Sequence, residues 1–268
     1  MSQSLRLLSF NIQIGIATRH YRQYLWHGWK HLLHHPRRFD NLDRIAALMR
    51  DYDLVGIQET DAGSARSGFV NLTRYLAEAG GFPCWSERIN RRIGRMARHS
   101  LGVLSRFQPV AVVEHRLPGP ISGRGALEVR YGQGTVGLVL LVVHLALSRR
   151  VRLQQIDFLC TLVNRHRHVI VMGDMNCTRG SAEMNRLLLT TRLEDPLPDL
   201  PTWPSWKPRR DLDHILLTPE LRMEQVEVLD FPLSDHLPLA LQVRLPEGLR
   251  LCPAAVEAGR IPALAPFP

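Results

Sequence analysis

Apolar positions along this chain fall into two periods. Short runs of branched and aromatic side chains, bounded by polar residues or by Gly and Pro, predict strands over 5–12, 54–58, 100–105, 127–129, 136–144, 169–172, 213–217 and 239–245. Between them apolar residues recur at helical spacing. Leu42, Ile45, Ala46 and Met49 mark one face of a helix over 40–51, and similar spacing predicts helices over 71–79, 151–164 and 182–190. Strands alternating with helices predict an α/β fold with mixed strands, in which ligand chemistry gathers at strand ends. No repeat or linker interrupts the pattern, so residues 1–245 read as one domain. A Pro/Ala-rich C-terminal extension, 246–268, sustains neither period and is expected to be loose.

Composition narrows the class. The 268 residues are 45% hydrophobic and 22% charged, which suits a globular domain and not a disordered one. The longest apolar stretch, 136–143, is interrupted by Gly137 and is too short for a bilayer. Arg6 breaks the apolar start, and the four cysteines lack metal-ligand spacing, so the expectation is a cytoplasmic monomer with reduced thiols. Against 25 acids stand 34 Lys and Arg, a net charge of +9. Much of the excess is concentrated. Segment 19–38 carries Arg19, Arg22, Lys30, Arg37 and Arg38 among Tyr21, Tyr24, Trp26 and Trp29, with no acid; segment 88–99, read as a loop, adds Arg88, Arg91, Arg92, Arg95 and Arg98. Such charge suits nucleic acid, anionic lipid or a phosphorylated small molecule, and equally a solvated surface.

The ends of the predicted strands are polar where bland turns are expected. Leu7-Leu8-Ser9-Phe10 leads to Asn11, and Val55-Gly56-Ile57-Gln58 to Glu59. The run through Val143 leads to His144, and Val171-Met172-Gly173 to Asp174 and Asn176. Asp213 opens Ile215-Leu216-Leu217, and Ser234-Asp235-His236 precedes Leu237. Each alone has the ordinary reading of a helix cap or a satisfied core polar group. Together they form a set of carboxylates whose mutual repulsion calls for a cation, and oxygen donors favour Mg²⁺ or Mn²⁺. With histidines as donors to a phosphoryl group and Asp174 to hold the water, the residues read as a metal-assisted phosphohydrolase.

In this order, Ser9-Phe10-Asn11, Gln58-Glu59, His144-Leu145, Gly173-Asp174-Met175-Asn176, Asp213-His214-Ile215 and Ser234-Asp235-His236 resemble the endonuclease/exonuclease/phosphatase superfamily, from about residue 5 to about residue 245. The resemblance implies a DNase I-like four-layer α/β sandwich with two mixed β-sheets packed face to face. It implies a Mg²⁺ site at Glu59 with Asn11 and Asp235, and a water held by Asp174 beside a phosphate-binding Asn176. His236 is implied to contact the scissile phosphate, with Asp213 orienting it, and His144 to be a second phosphate contact. Arg152 and Gln155 resemble the family's supporting Arg-x-x-Gln. At the His144 position abasic-site endonucleases usually carry tyrosine, which disfavours that branch. The substrate expectation is nucleic acid, DNA or RNA, bound by the basic aromatic segment 19–38. The alternatives are hydrolysis of phospholipid or phosphoinositide at a membrane surface, and a binding module without turnover.

Overall fold

Side chains along β1 (Ser4–Asn11) alternate between two cores. Leu5 and Leu7 face one, and Leu8 and Phe10 the other. The same alternation runs through β7 (Leu138–His144). Leu138, Leu140 and Val142 join Leu5 and Leu7, while Val139, Leu141 and Val143 face away from them. Both strands are therefore buried on both faces, as strands must be when a sheet is covered on each side.

The computed structural model describes residues 2–16, 37–120, 123–132, 137–196, 199–255 and 259–263. The remaining strands are β2 (Leu54–Asp61), β3 (Cys84–Ile93), β4 (Ala97–Ser105), β5 (Ala111–Arg116), β6 (Gly125–Tyr131), β8 (His168–Asp174), β9 (Asp213–Leu217), β10 (Arg222–Val228), β11 (Leu239–Arg244) and β12 (Gly259–Arg260). They form a seven-stranded sheet in the order β10-β11-β1-β2-β4-β3-β12 and a five-stranded sheet in the order β5-β6-β7-β8-β9. Both are mixed, since β1–β2 and β7–β8 pair in parallel and their other neighbours antiparallel.

Helices α1 (Arg37–Met49) and α2 (Leu72–Gly80) cover the outer face of the larger sheet through Leu42, Ile45, Met49, Leu72 and Leu76. Helices α3 (Arg149–Val163) and α4 (Ala182–Thr190) cover the smaller sheet through Ile156, Leu159, Met184 and Leu187. The product is the expected four-layer sandwich. Local sequence fixes several helix ends: Asn71 caps α2 by accepting from Arg74 N at 3.0 Å, and Ser181 caps α4 by accepting from Met184 N at 3.2 Å. Where the two sheets approach, Gly56 makes room for the side chains of the facing strands. A Cβ there would lie 2.7 Å from Met172 Cε and 2.9 Å from Val142 Cγ2.

Three expectations are corrected. Segment 88–99 is not a loop but most of the β3–β4 hairpin, whose outer half is polar and so lacks a strand's alternation. Strands β5 and β10 at sheet edges were not anticipated; β10 is largely exposed and has no apolar run. The chain after Pro246 is not loose over its described part. Leu249 and Leu251 are buried in the core between the sheets, and β12 pairs with β3. Most of the basic aromatic segment, 19–36, lies outside the described residues.

Candidate active site

The row of side chains filling the space between the sheets continues past its apolar part into polar residues. On β7 the row Leu138, Leu140, Val142 ends in His144, and on β8 Ile170 and Met172 lead to Asp174. On β9 Asp213 precedes Ile215 and Leu217 on the same face. Register then places them side by side: His144 pairs with Asp174, and Asp174 with Asp213. From the opposite sheet, Leu5 and Leu7 lead through Ser9 to Asn11. A two-residue period and a strand register are enough to gather these four groups at one end of the sandwich.

Glu59 reaches the site by a different device. Its parity with Val55 and Ile57 would send it toward the helices. A β-bulge between Ile57 and Thr60, with Glu59 at φ 55°, turns it instead toward His144. Glu59 Oε1 lies 3.9 Å from His144 Nε2, and its side chain is 36% exposed. Two more backbone irregularities serve the loop after β8. Gly173 has φ 143° and sits so close to β7 that a Cβ would meet Val143 O at 2.0 Å. Asn176 has φ 52°, and its amide donates to Leu145 O at 2.9 Å, holding the segment that follows His144.

Asp174 is the centre of the arrangement. Its Oδ2 accepts from Asn11 Nδ2 at 3.1 Å and lies 3.3 Å from His144 Nε2 and 3.8 Å from His236 Nε2. Its Oδ1 accepts from Asn176 N at 2.9 Å. Burial pushes this carboxyl upward, but His236, His144 and these hydrogen bonds outweigh it and hold Asp174 well below the usual carboxylate range. His236 is the counterpart. Burial disfavours its imidazolium, yet Asp213 and Asp174 raise its pKa well above 6.5.

His236 Nδ1 faces Asp213 Oδ2 at 2.7 Å, which also accepts from Thr202 Oγ1 at 2.5 Å, while Asp213 Oδ1 is buried without a hydrogen-bond partner. The turn carrying His236 is clamped on both sides. Ser234 Oγ donates to Asn11 O at 2.6 Å, and Ser205 donates from Oγ to Ser234 O at 2.6 Å and from N to Asp235 O at 2.8 Å. Asp235 is buried there, with its Oδ1 3.2 Å from Ser234 Oγ.

The structure thus brings Asn11, His144, Asp174, Asp213 and His236 into direct contact, with Glu59 facing His144 and Asp235 in the adjoining turn. Arg152 and Gln155 brace the segment after His144 without touching the polar cluster. Arg152 bonds Glu183, Ala146 O and Leu147 O, and Gln155 bonds Ala146 N and Pro118 O. Cys177 is buried, and desolvation pushes its thiol up to about 11, so it is a packing residue.

Among the described residues, no group of three or more His, Cys, Asp or Glu is arranged to hold a metal ion by itself. The donor set nonetheless fits a hard ion held openly. Glu59 offers a partly exposed carboxylate, and the Asn11 amide and Asp235 carboxylate are further oxygens. Mg²⁺ is commonly held by only one or two carboxylates, with water and substrate completing its shell.

Sequence reading missed Arg124, just ahead of β6. Burial lowers its pKa, while Glu59 and Asp174 act in the opposite direction and favour its charge. Arg124 lines a cavity of about 470 Å³ together with Glu59 and His144. Its lining also includes Arg91 and His99, and the apolar side chains of Pro120, Leu147 and Val151. The available signal was local: an arginine set between Gly123 and Gly125 at the start of a strand. Thr202 and Ser205 were also missed, for their contacts are long-range and leave no pattern in the sequence.

A profile of the endonuclease/exonuclease/phosphatase family matches residues 8–236. The chain belongs to that family. Its fold is similar to an endonuclease/exonuclease/phosphatase from Beutenbergia cavernae DSM 12333, 20% identical over 91% of this chain and 72% of that one, with a TM-score of 0.70. It is also similar to a mannosyl-6-phosphatase of Bacteroides thetaiotaomicron VPI-5482, 14% identical over 89% of this chain and 99% of that one, at a TM-score of 0.65. A beta toxin of Staphylococcus aureus is 15% identical over 88% of this chain and 99% of that one, at 0.63. No curated protein sequence matches the chain. In this endonuclease/exonuclease/phosphatase family member, strand register gathers His144, Asp174 and Asp213 at one end of the sandwich.

Proposed function

We propose that the chain hydrolyses phosphodiesters by attack of water, aided by Mg²⁺ or Mn²⁺ held at Glu59 with Asn11 and Asp235. The observation that carries this reading is the convergence of His144, Asp174 and the Asp213–His236 pair on one buried point. When bound, the ion polarises a phosphoryl oxygen and offsets its charge. The protein's own groups do the rest. Asp213 accepts the Nδ1 proton of His236 and so presents Nε2–H as a donor to the phosphoryl group. Asp174 keeps an ionised oxygen available to orient the attacking water. His144 supplies a further hydrogen-bond donor, and Arg124 a positive one, toward the charge that develops.

The cavity beside this cluster, lined by Arg91 and Arg124 together with apolar side chains, suits a diester taken one headgroup or one nucleotide at a time. A phospholipid is the substrate class its surroundings favour, because exposed apolar side chains stand on the same hairpin that contributes Arg91 and His99. Nucleic acid is the second reading, supported by the net charge of +9. The experiment is a panel of phosphatidylglycerol vesicles, sphingomyelin, plasmid DNA, structured RNA and bis-p-nitrophenyl phosphate, each with Mg²⁺ and with His236→Ala as blank. Lipid hydrolysis that vanishes in the blank supports the first reading, and nucleic-acid cleavage that vanishes supports the second. Silence on every substrate refutes both.

A further inference from the structure

The β3–β4 hairpin bears a surface that the hydrolytic residues do not use. At its tip Ile93 is 42% and Met96 45% exposed, and beside them Phe69 is 63% exposed. The three stand on adjoining segments. Arg66 N donates to Met96 O at 3.2 Å and Ala65 N to Arg95 O at 2.9 Å, joining the hairpin tip to the turn that carries Phe69. The Arg95 guanidinium lies 5.9 Å from the centre of the Phe69 ring. Segment 88–99 has five arginines and no Asp or Glu, and Arg91, Arg92 and Arg95 are exposed.

The backbone at Phe69 adds an independent observation. Its φ is 62°, a left-handed conformation that a bulky residue rarely adopts. The turn is held in that shape from below. Phe69 N donates to Ser64 O at 2.8 Å, and Ser64 N and Ser67 Oγ donate to the fully buried Asp61 Oδ1 at 2.7 and 3.0 Å. A strained, well-anchored turn therefore keeps an aromatic ring in water beside two exposed aliphatic side chains. Single exposed apolar residues are ordinary on a protein surface. Apolar side chains on a strained turn and the adjoining hairpin tip, set among unopposed arginines, have the composition of a membrane-interface element.

We propose that these segments dock the protein on an anionic phospholipid surface. Phe69, Ile93 and Met96 enter the headgroup–acyl boundary, and Arg92 and Arg95 pair with lipid phosphates. Lipid is favoured over nucleic acid because Ile93 and Met96 have no ring to stack on a base, whereas aliphatic side chains gain by leaving water for acyl chains. The same hairpin lines the cavity with Asn90, Arg91 and His99, so docking sets the cavity beside the bilayer. That last consequence rests on the phosphodiesterase reading; the docking itself does not.

The test is co-sedimentation of the full chain with phosphatidylcholine vesicles, with and without phosphatidylglycerol. The wild type is expected to bind the anionic vesicles preferentially and to release them as salt rises. Two variants, Phe69→Ser/Ile93→Ser/Met96→Ser and Arg92→Glu/Arg95→Glu, are each expected to bind at least about tenfold more weakly. Their thermal melting and hydrolysis of bis-p-nitrophenyl phosphate should match the wild type. Docking is overturned by a wild type without preference for phosphatidylglycerol, or by variants that bind as it does. It is also overturned if the variants lose RNA or plasmid binding while the wild type ignores vesicles. Vesicle binding that the variants lose, in a protein that hydrolyses no ester, upholds docking and refutes the phosphodiesterase reading.

Discussion

His236 Nδ1 lies 2.7 Å from Asp213 Oδ2, joining the first residue of β9 to the turn before β11. The contact fixes which edge of the imidazole faces the site and favours its protonated form. Asp213→Asn keeps the shape but presents a neutral amide to a ring that needs an acceptor. It is expected to lower kcat on bis-p-nitrophenyl phosphate by about 10²–10⁴-fold with little change in KM. Steady-state kinetics check this; a loss under about tenfold would mean the pair does not orient the histidine.

Arg124 is the cation that the sequence did not advertise, between Glu59 and Asp174 electrostatically and open to the cavity. If it stabilises the developing phosphoryl charge, Arg124→Ala lowers kcat by about 10²–10³-fold, and Arg124→Lys restores part of that loss. Should Arg124→Ala raise KM alone, the guanidinium would be a ground-state binding group.

Gly173 holds β8 against β7 in a conformation open to glycine alone. Gly173→Ala places a methyl group on Val143 O, so the strands must part where His144 and Asp174 pair. The expected cost is about 3 kcal/mol or more, read as a lower urea midpoint with unchanged slope. A midpoint within error of the wild type would contradict the register described for β7 and β8.

His99, beside Arg66 and on the cavity wall, makes folding sensitive to pH. Burial first, then the Arg66 charge, lowers its pKa from 6.5 to about 4. The unfolded chain therefore takes up this proton at a higher pH than the folded one. The stabilisation is complete above pH 6.5, is lost progressively between 6.5 and about 4, and changes no further below that. Thermal melting at about pH 7 and about pH 5 should show a smaller loss in His99→Gln than in the wild type. Equal losses would remove His99 as the cause.

Much of this site is legible in the sequence because strands carry a period of two. Once Leu138, Leu140 and Val142 are known to face inward, His144 faces inward too, and the same holds for Asp174 after Met172. Glu59 breaks the rule, since its parity points outward and only the bulge and its positive φ bring it back. There the ordered motif was informative where periodicity was not. Arg124, Thr202 and Ser205 were hidden for the opposite reason. They sit in irregular segments, and their partners Asp174, Asp213 and Asp235 are remote in sequence. The outer half of the β3–β4 hairpin, 88–99, reads as a loop because its arginines interrupt any alternation of its few apolar residues, although cross-strand hydrogen bonds pair it as far as Ile93 and Ala97. Burial of Leu249 and Leu251 likewise depends on a groove that only the folded sheets create.

The most direct test of the central claim is hydrolysis of bis-p-nitrophenyl phosphate after removal of divalent ions with EDTA, followed by titration of Mg²⁺ into wild type and Glu59→Gln. The account predicts no turnover without the ion and saturable recovery in the wild type. Glu59→Gln should need at least about tenfold more Mg²⁺ for half-maximal rate and melt at the wild-type temperature. Full activity in EDTA, or equal Mg²⁺ titrations for the two proteins, would contradict it.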